Sequence, residues 1–111
     1  MQKYTRLHRG EPLVFMGDLL AVKSSNSRND PNRERWTEFE IFYTQNENYV
    51  VNVINKALDN SERNRSFVCQ NFGDIQECLK HPAYGTMSFT AQNVYNKALA
   101  VAIAEGLTEA G

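Results

Sequence analysis

Apolar and polar positions alternate with a period of two through RWTEFEIFYT and YVVNVINKA, two β-rich runs joined by QNEN. Side chains on a strand point alternately to its two faces, so the pattern predicts a β-hairpin with its turn at 45–48. Thr44 then lies opposite Tyr49. In that register one face collects Thr37, Phe39, Ile41 and Tyr43 with Val50, Asn52, Ile54 and Lys56. The other collects Trp36, Glu38, Glu40, Phe42 and Thr44 with Tyr49, Val51, Val53 and Asn55. The Phe39 and Ile41 face reads as core, and Asn52 sits badly on it.

The flanking segments are less regular. Residues 3–9 form a first strand. Residues 12–25, PLVFMGDLLAVKSS, form an apolar run interrupted by Gly17-Asp18, which favours one long bent strand over two short ones. The run NSRNDPNRE at 26–34 is a polar loop, and LDNSERNR at 58–65 a polar turn, leaving 66–69 for a short fourth strand. A helix over 74–81 buries Ile75, Cys78 and Leu79 and stops before Pro82. A second helix starts at Ser88 as N-cap and ends at Gly106. Its stripe of Ala91, Val94, Tyr95, Ala98, Leu99, Ala102 and Ile103 repeats at i, i+3, i+4 and should bury Leu99 almost completely. Gln92, Asn93, Asn96 and Lys97 then face outward. The expected fold is a single α+β domain over 1–111, an antiparallel sheet of three to four strands with two C-terminal helices packed on one face.

Composition narrows the function classes. The chain has 111 residues, 41% of them hydrophobic and 23% charged, in the ordinary range for a globular domain, with no repeat or linker. The net charge of −1 argues against a dedicated electrostatic binder of nucleic acid, although it is unevenly spread. Residues 1–35 carry a surplus of +3, and the remainder −4. The opening MQKYTRLHRGEP lacks the apolar run of a signal peptide, and no window of 18 residues is apolar enough to span a membrane. The expectation is a cytoplasmic protein with no membrane partner. Cys69 and Cys78 then read as reduced structural thiols, since their spacing matches no zinc or redox motif.

Candidate chemistry is sparse. Glu38 and Glu40 share one strand face about 7 Å apart, a spacing compatible with acid–base work. No His, Lys or Arg in the motif completes a catalytic set, so they read as the solvated face of the strand. His8 and His81 are far apart and have no metal-ligand spacing around them. Phosphate-binding loops and nucleophile motifs are absent, and Cys78 and His81 at i, i+3 are a common chance pairing. The expectation is therefore a protein that is not an enzyme, with no metal and no cofactor.

Two surfaces remain. Trp36, Glu38, Glu40, Phe42 and Tyr49 would make an aromatic and acidic sheet face suited to a protein partner, unless residues 3–25 fold across it. That face, or an exposed strand edge, also offers a route to a homodimer. The alternative is a nucleic-acid-binding module using Lys23, Arg28, Arg33 and Arg35 for phosphates and Trp36 for stacking, set against a plain solvated loop. RWTEFEIFYT followed by YVV resembles small bacterial accessory proteins. The size of the chain and its lack of catalytic motifs are similar to small phage- or plasmid-encoded inhibitors. The resemblance assigns no residue a role; it favours an interaction protein over an enzyme.

Overall fold

Five strands follow one another in an antiparallel meander of order β1-β2-β3-β4-β5. They are β1 (Gln2–His8), β2 (Glu11–Ser24), β3 (Arg35–Thr44), β4 (Tyr49–Ala57) and β5 (Glu62–Cys69). A 3₁₀ turn at Phe72–Asp74 leads into the short helix α1 (Ile75–Leu79), and α2 (Phe89–Ala104) closes the chain. This computed structural model describes residues 1–26, 28 and 30–108; Ser27 and Asn29 of the polar loop lie outside them. No helix among the described residues is long and apolar enough to cross a membrane.

The expected α+β class and antiparallel sheet are present, but the sheet has five strands rather than three to four. Strand β5 is also longer than the short strand expected at 66–69, starting at Glu62 where a polar turn was expected to run to residue 65. Asn60 adopts a left-handed φ of 68° and tightens that turn, so Arg63 pairs with Asn55 and Asn64 with Ile54. At the other end Arg9 and Gly10, both with positive φ, form a two-residue hairpin loop between β1 and β2.

The β3–β4 register also differs by one residue. Tyr43, not Thr44, lies opposite Tyr49. The cause is the loop: only 45–47 lie outside the ladder, because the Thr44 N–H still donates to the Asn48 carbonyl at 2.9 Å. Glu47 takes the left-handed position of a three-residue hairpin loop, φ 61°. A one-residue slip exchanges the faces of a strand. Tyr49, Val51 and Val53 therefore join Phe39 and Ile41 in the core that also holds the helices, while Val50, Asn52, Ile54 and Lys56 join Glu38, Glu40 and Phe42.

Strand β2 is one continuous strand, as its sequence suggested, but its irregularity falls between Leu19 and Ala21 rather than at Gly17-Asp18. It turns both Leu20 and Ala21 inward. Gly17 is required where it stands: a Cβ there would meet the Tyr43 carbonyl oxygen of β3 at 2.6 Å. Pro12 is tolerated because it pairs with Leu7 of β1 beyond the reach of β3, where no second partner needs its missing N–H.

Helix α2 begins at Ser88, whose hydroxyl accepts from the Ala91 N–H. It ends in a Schellman motif, with Leu107 N donating to the Ala102 carbonyl and Gly106 N to that of Ile103, Gly106 sitting at φ 72°. Ala91, Val94, Tyr95, Ala98 and Ala102 are buried in one cluster with Leu20, Ala21 and Ile41. The alanines allow close approach, which leaves the longer Leu99 only partly buried at the flank, against expectation.

On the opposite face the sheet curls until the end of β1 reaches β5. The Arg9 N–H donates to the Asn64 carbonyl at 3.1 Å, and Ser66 N–H to His8 Nδ1 at 3.0 Å. Tyr4 and Phe15 close over Phe42, with ring centroids 4.6 and 5.0 Å away.

Candidate functional site

The five residues expected to share an aromatic and acidic face are not gathered on one surface. Phe42 is wholly buried under Tyr4 and Phe15, and Tyr49 is buried on the other side of the sheet among Tyr43 and Phe72. Trp36, Glu38 and Glu40 are half-buried. The N-terminal strands cover this face, the alternative that the sequence left open.

Each glutamate is matched to a cation. Glu40 receives two parallel bonds from the Arg6 guanidinium, Nε to Oε1 at 2.8 Å and Nη2 to Oε2 at 2.9 Å. It also accepts from Asn52 Nδ2 at 2.9 Å. Asn52, fully buried, is 2.8 Å from the Ser66 hydroxyl through its Oδ1. The residue out of place on an apolar face is thus the centre of a satisfied polar network on the other one. Hydrogen bonding to Glu40 holds the Arg6 guanidinium above its usual pKa, against the opposing effect of burial. Glu38 pairs with Lys56 at 2.9 Å, and this hydrogen bond likewise raises the Lys56 pKa. A carboxylate pair so engaged serves as counter-ions to the sheet.

Glu38 and Glu40 share a depression of about 370 Å³ with Arg6 and Lys56, and at the far end of the sheet three further depressions adjoin around Asn55. The first, of about 410 Å³, has a floor of Phe39, Val53 and Leu79 and walls that include Arg33, Arg65 and His81. Among the described residues, no carboxylate lines it. The second, about 650 Å³, adds Arg9 and Arg63; the third, about 630 Å³, brings Arg33, Arg35 and Trp36 together with Arg63. Glu62 enters the latter two, and Asp59 the third.

Local structure explains why these cations converge. Arg63 and Arg65 alternate on β5 with Phe67 and Cys69, so they face the helix side, and Arg65 lies 5.9 Å over the Phe67 ring. Arg33 is pinned by donation to two carbonyls, Ser25 at 2.7 Å and Arg35 at 3.1 Å. Arg9 is carried there by the β1–β2 loop. Among the described residues, none of Arg9, Arg33, Arg35, Arg63 and Arg65 forms an ion pair. Two aromatic side chains stand beside them in solvent: Phe89, 83% exposed, on the first depression, and Tyr84, 78% exposed, against the His81 ring.

Of the residues expected to contact nucleic acid, the structure brings Arg33, Arg35 and Trp36 together. Arg28 is exposed in the loop, and Lys23 is exposed on β2 opposite Phe39, lining none of the three depressions. Arg9, Arg63 and Arg65 were not among the residues expected there, and His81 was weighed only as a metal ligand and as a partner of Cys78. Alternation of Arg63 and Arg65 along a strand was the available signal, hidden because this stretch looks like a polar turn. Among the described residues, no group of three or more His, Cys, Asp or Glu could hold a metal ion.

No family model, curated protein or solved structure matches the chain. The functional reading rests on geometry.

Proposed function

We propose that this protein is a non-enzymatic binding module for single-stranded nucleic acid, working through its arginine-rich end. The observation that carries the reading is Arg33 and Arg65 on an apolar-floored cavity with exposed Phe89 at its edge, and Arg9, Arg35 and Arg63 in the two adjoining depressions, where arginines outnumber the carboxylates Asp59 and Glu62. Guanidinium groups bind phosphate oxygens through paired N–H donors. Aromatic faces accept unpaired bases by stacking, whatever their identity. Because the net charge is −1, attraction is local to this end rather than a property of the whole molecule.

Fluorescence anisotropy with short labelled oligonucleotides tests the reading. Single strands should bind more tightly than a duplex of the same length. Engagement of four phosphates lowers affinity about 50-fold between roughly 50 and 200 mM salt. An absence of binding at the lower salt, or binding indifferent to salt, would overturn it.

A protein partner is the second reading, and a different surface supports it. Leu7, Val14 and Met16 share the outer face of the β1–β2 hairpin and are all exposed. Neighbouring exposed apolar side chains on a sheet suit protein contact, and size-exclusion chromatography with light scattering would show whether a second copy occupies that face.

A further inference from the structure

Cys69 ends β5 and Cys78 lies on α1, nine residues further on, yet their sulfurs are 3.3 Å apart. The 3₁₀ turn at Phe72–Asp74 brings them together, with Phe72, Ile75 and Leu79 buried around the pair. A disulfide needs ~2.05 Å between sulfurs, so roughly 1.25 Å of approach separates this contact from a bond. The two thiols are not equivalent. Cys69 is buried, whereas Cys78 is half-buried and lines the 410 Å³ cavity with Arg33, Arg65, Lys80 and His81. One thiol is therefore reachable from a cationic pocket, and the other waits directly behind it.

We propose that Cys69 and Cys78 are a redox-active dithiol that forms an internal disulfide by exchange with an anionic peptide disulfide of the glutathione class, admitted through the cationic cavity. The Cys78 thiolate attacks one sulfur of the small disulfide, whose S–S bond breaks and releases one thiolate, which takes a proton from water. The product is a mixed disulfide at Cys78. Cys69 gives its proton to water and its sulfur attacks Cys78 Sγ, expelling the second small thiolate, which is protonated in turn. Overall the protein loses two protons and two electrons, the small disulfide gains both, and two small thiols leave.

The order of attack follows from the surroundings. The hydrogen bond from Cys69 lowers the Cys78 pKa, while the same bond, with burial, pushes that of Cys69 up. A stabilised thiolate at the accessible position is the arrangement that exchange requires. The cations along the wall match the carboxylates of a glutathione-type peptide. This inference concerns the thiols alone and does not depend on nucleic-acid binding.

The test exposes the reduced, folded protein to oxidised glutathione at neutral pH and follows intact mass. Wild type should lose roughly 2 Da, with no lasting adduct, and regain the mass on treatment with dithiothreitol. Cys69→Ser should accumulate one glutathione at Cys78, whereas Cys78→Ser should react at least tenfold more slowly. An uncharged disulfide such as hydroxyethyl disulfide should react with wild type about tenfold more slowly than glutathione. Circular dichroism before and after oxidation shows whether the fold is retained, as expected. Stable adducts on the wild type, equal reactivity of the two serine variants, no preference for the anionic disulfide, or oxidation only with loss of the fold would each overturn the proposal.

Discussion

Arg6 on β1 grips both carboxylate oxygens of Glu40 on β3, reaching over the intervening strand β2. The contact ties the curled end of the sheet to its centre, and Asn52 extends it to β4 and Ser66 on β5. The side chains are 25% and 13% exposed, so water screens the pair only in part. Removing one partner strands the other. Glu40→Ala is expected to cost about 1–3 kcal/mol, a buried pair's penalty reduced for its partial exposure. The double variant Arg6→Met, Glu40→Met should recover part of that loss, and urea denaturation of the single and double variants measures both.

Core substitutions should follow the observed burial and not the helical stripe read from sequence. Ile41 is wholly buried against α2, and Ile41→Ala should cost about 2–5 kcal/mol. Leu99→Ala, at the partly buried flank, should cost about 1–2 kcal/mol, below the usual range for a buried leucine. Ala98→Leu should destabilise by about 1–3 kcal/mol through overpacking, because Ala98 has no exposed surface. Thermal and chemical unfolding rank the three.

Alkaline pH should unfold the protein in a defined window. The Lys56 pKa is raised from 10.5 by its hydrogen bond to Glu38, and that of Tyr49 from 10.0 by burial. In both cases the folded state holds the proton more tightly. The stabilisation from Lys56 is complete below 10.5 and lost as pH rises through the higher folded value. For Tyr49 the same loss starts at 10.0. Denaturation midpoints measured from neutral pH upward should therefore hold and then fall in that region. Lys56→Gln should flatten the upper part of the fall and Tyr49→Phe the lower.

At the arginine-rich end, charge and stacking should separate in the data. Arg63→Ala and Arg65→Ala should each weaken oligonucleotide binding and reduce the steepness of the salt dependence by about 0.7 in the log–log slope. Phe89→Ala should lose about 1–3 kcal/mol of binding and leave that slope unchanged. Because Phe89 is 83% exposed, its removal should not disturb folding, which circular dichroism checks.

Much of this fold was legible where a local rule has a strong residue preference. The alternation of Phe39 and Ile41 marked the inner face of β3, Ser88 and Gly106 marked the ends of α2, and the run around Gly17 read as one continuous strand. The register failed because the hairpin loop places Glu47, not glycine or asparagine, in the left-handed position, so nothing local distinguishes three loop residues from four. Asn52 carried the warning. Its polar side chain belongs beside Glu40 and Ser66, and shifting β4 by one residue to satisfy it would have recovered both faces.

The candidate site was less legible, since its parts come from separate segments. Arg33, Arg35 and Trp36 are contiguous in sequence and were visible together. Arg65 joins them through the β4–β5 ladder and Arg9 only because β1 curls to β5, and Cys69 meets Cys78 only because α1 folds back on the last strand. Contacts of that kind are products of packing and leave no spacing signature.

The sequential order of the strands bears on how the chain reaches this structure. Every strand pairs with its neighbour in sequence through a turn of a few residues or, between β2 and β3, a loop of ten, so most of the sheet can assemble hairpin by hairpin. Low sequence separation between partners shortens the conformational search. The exceptions are the seam between Arg9 and Asn64 and the docking of α2 on β2. These closures span about half of the chain or more and incur the largest loop entropy. They belong late on the pathway, so Ala98→Leu on α2 should accelerate unfolding while leaving the folding rate almost unchanged.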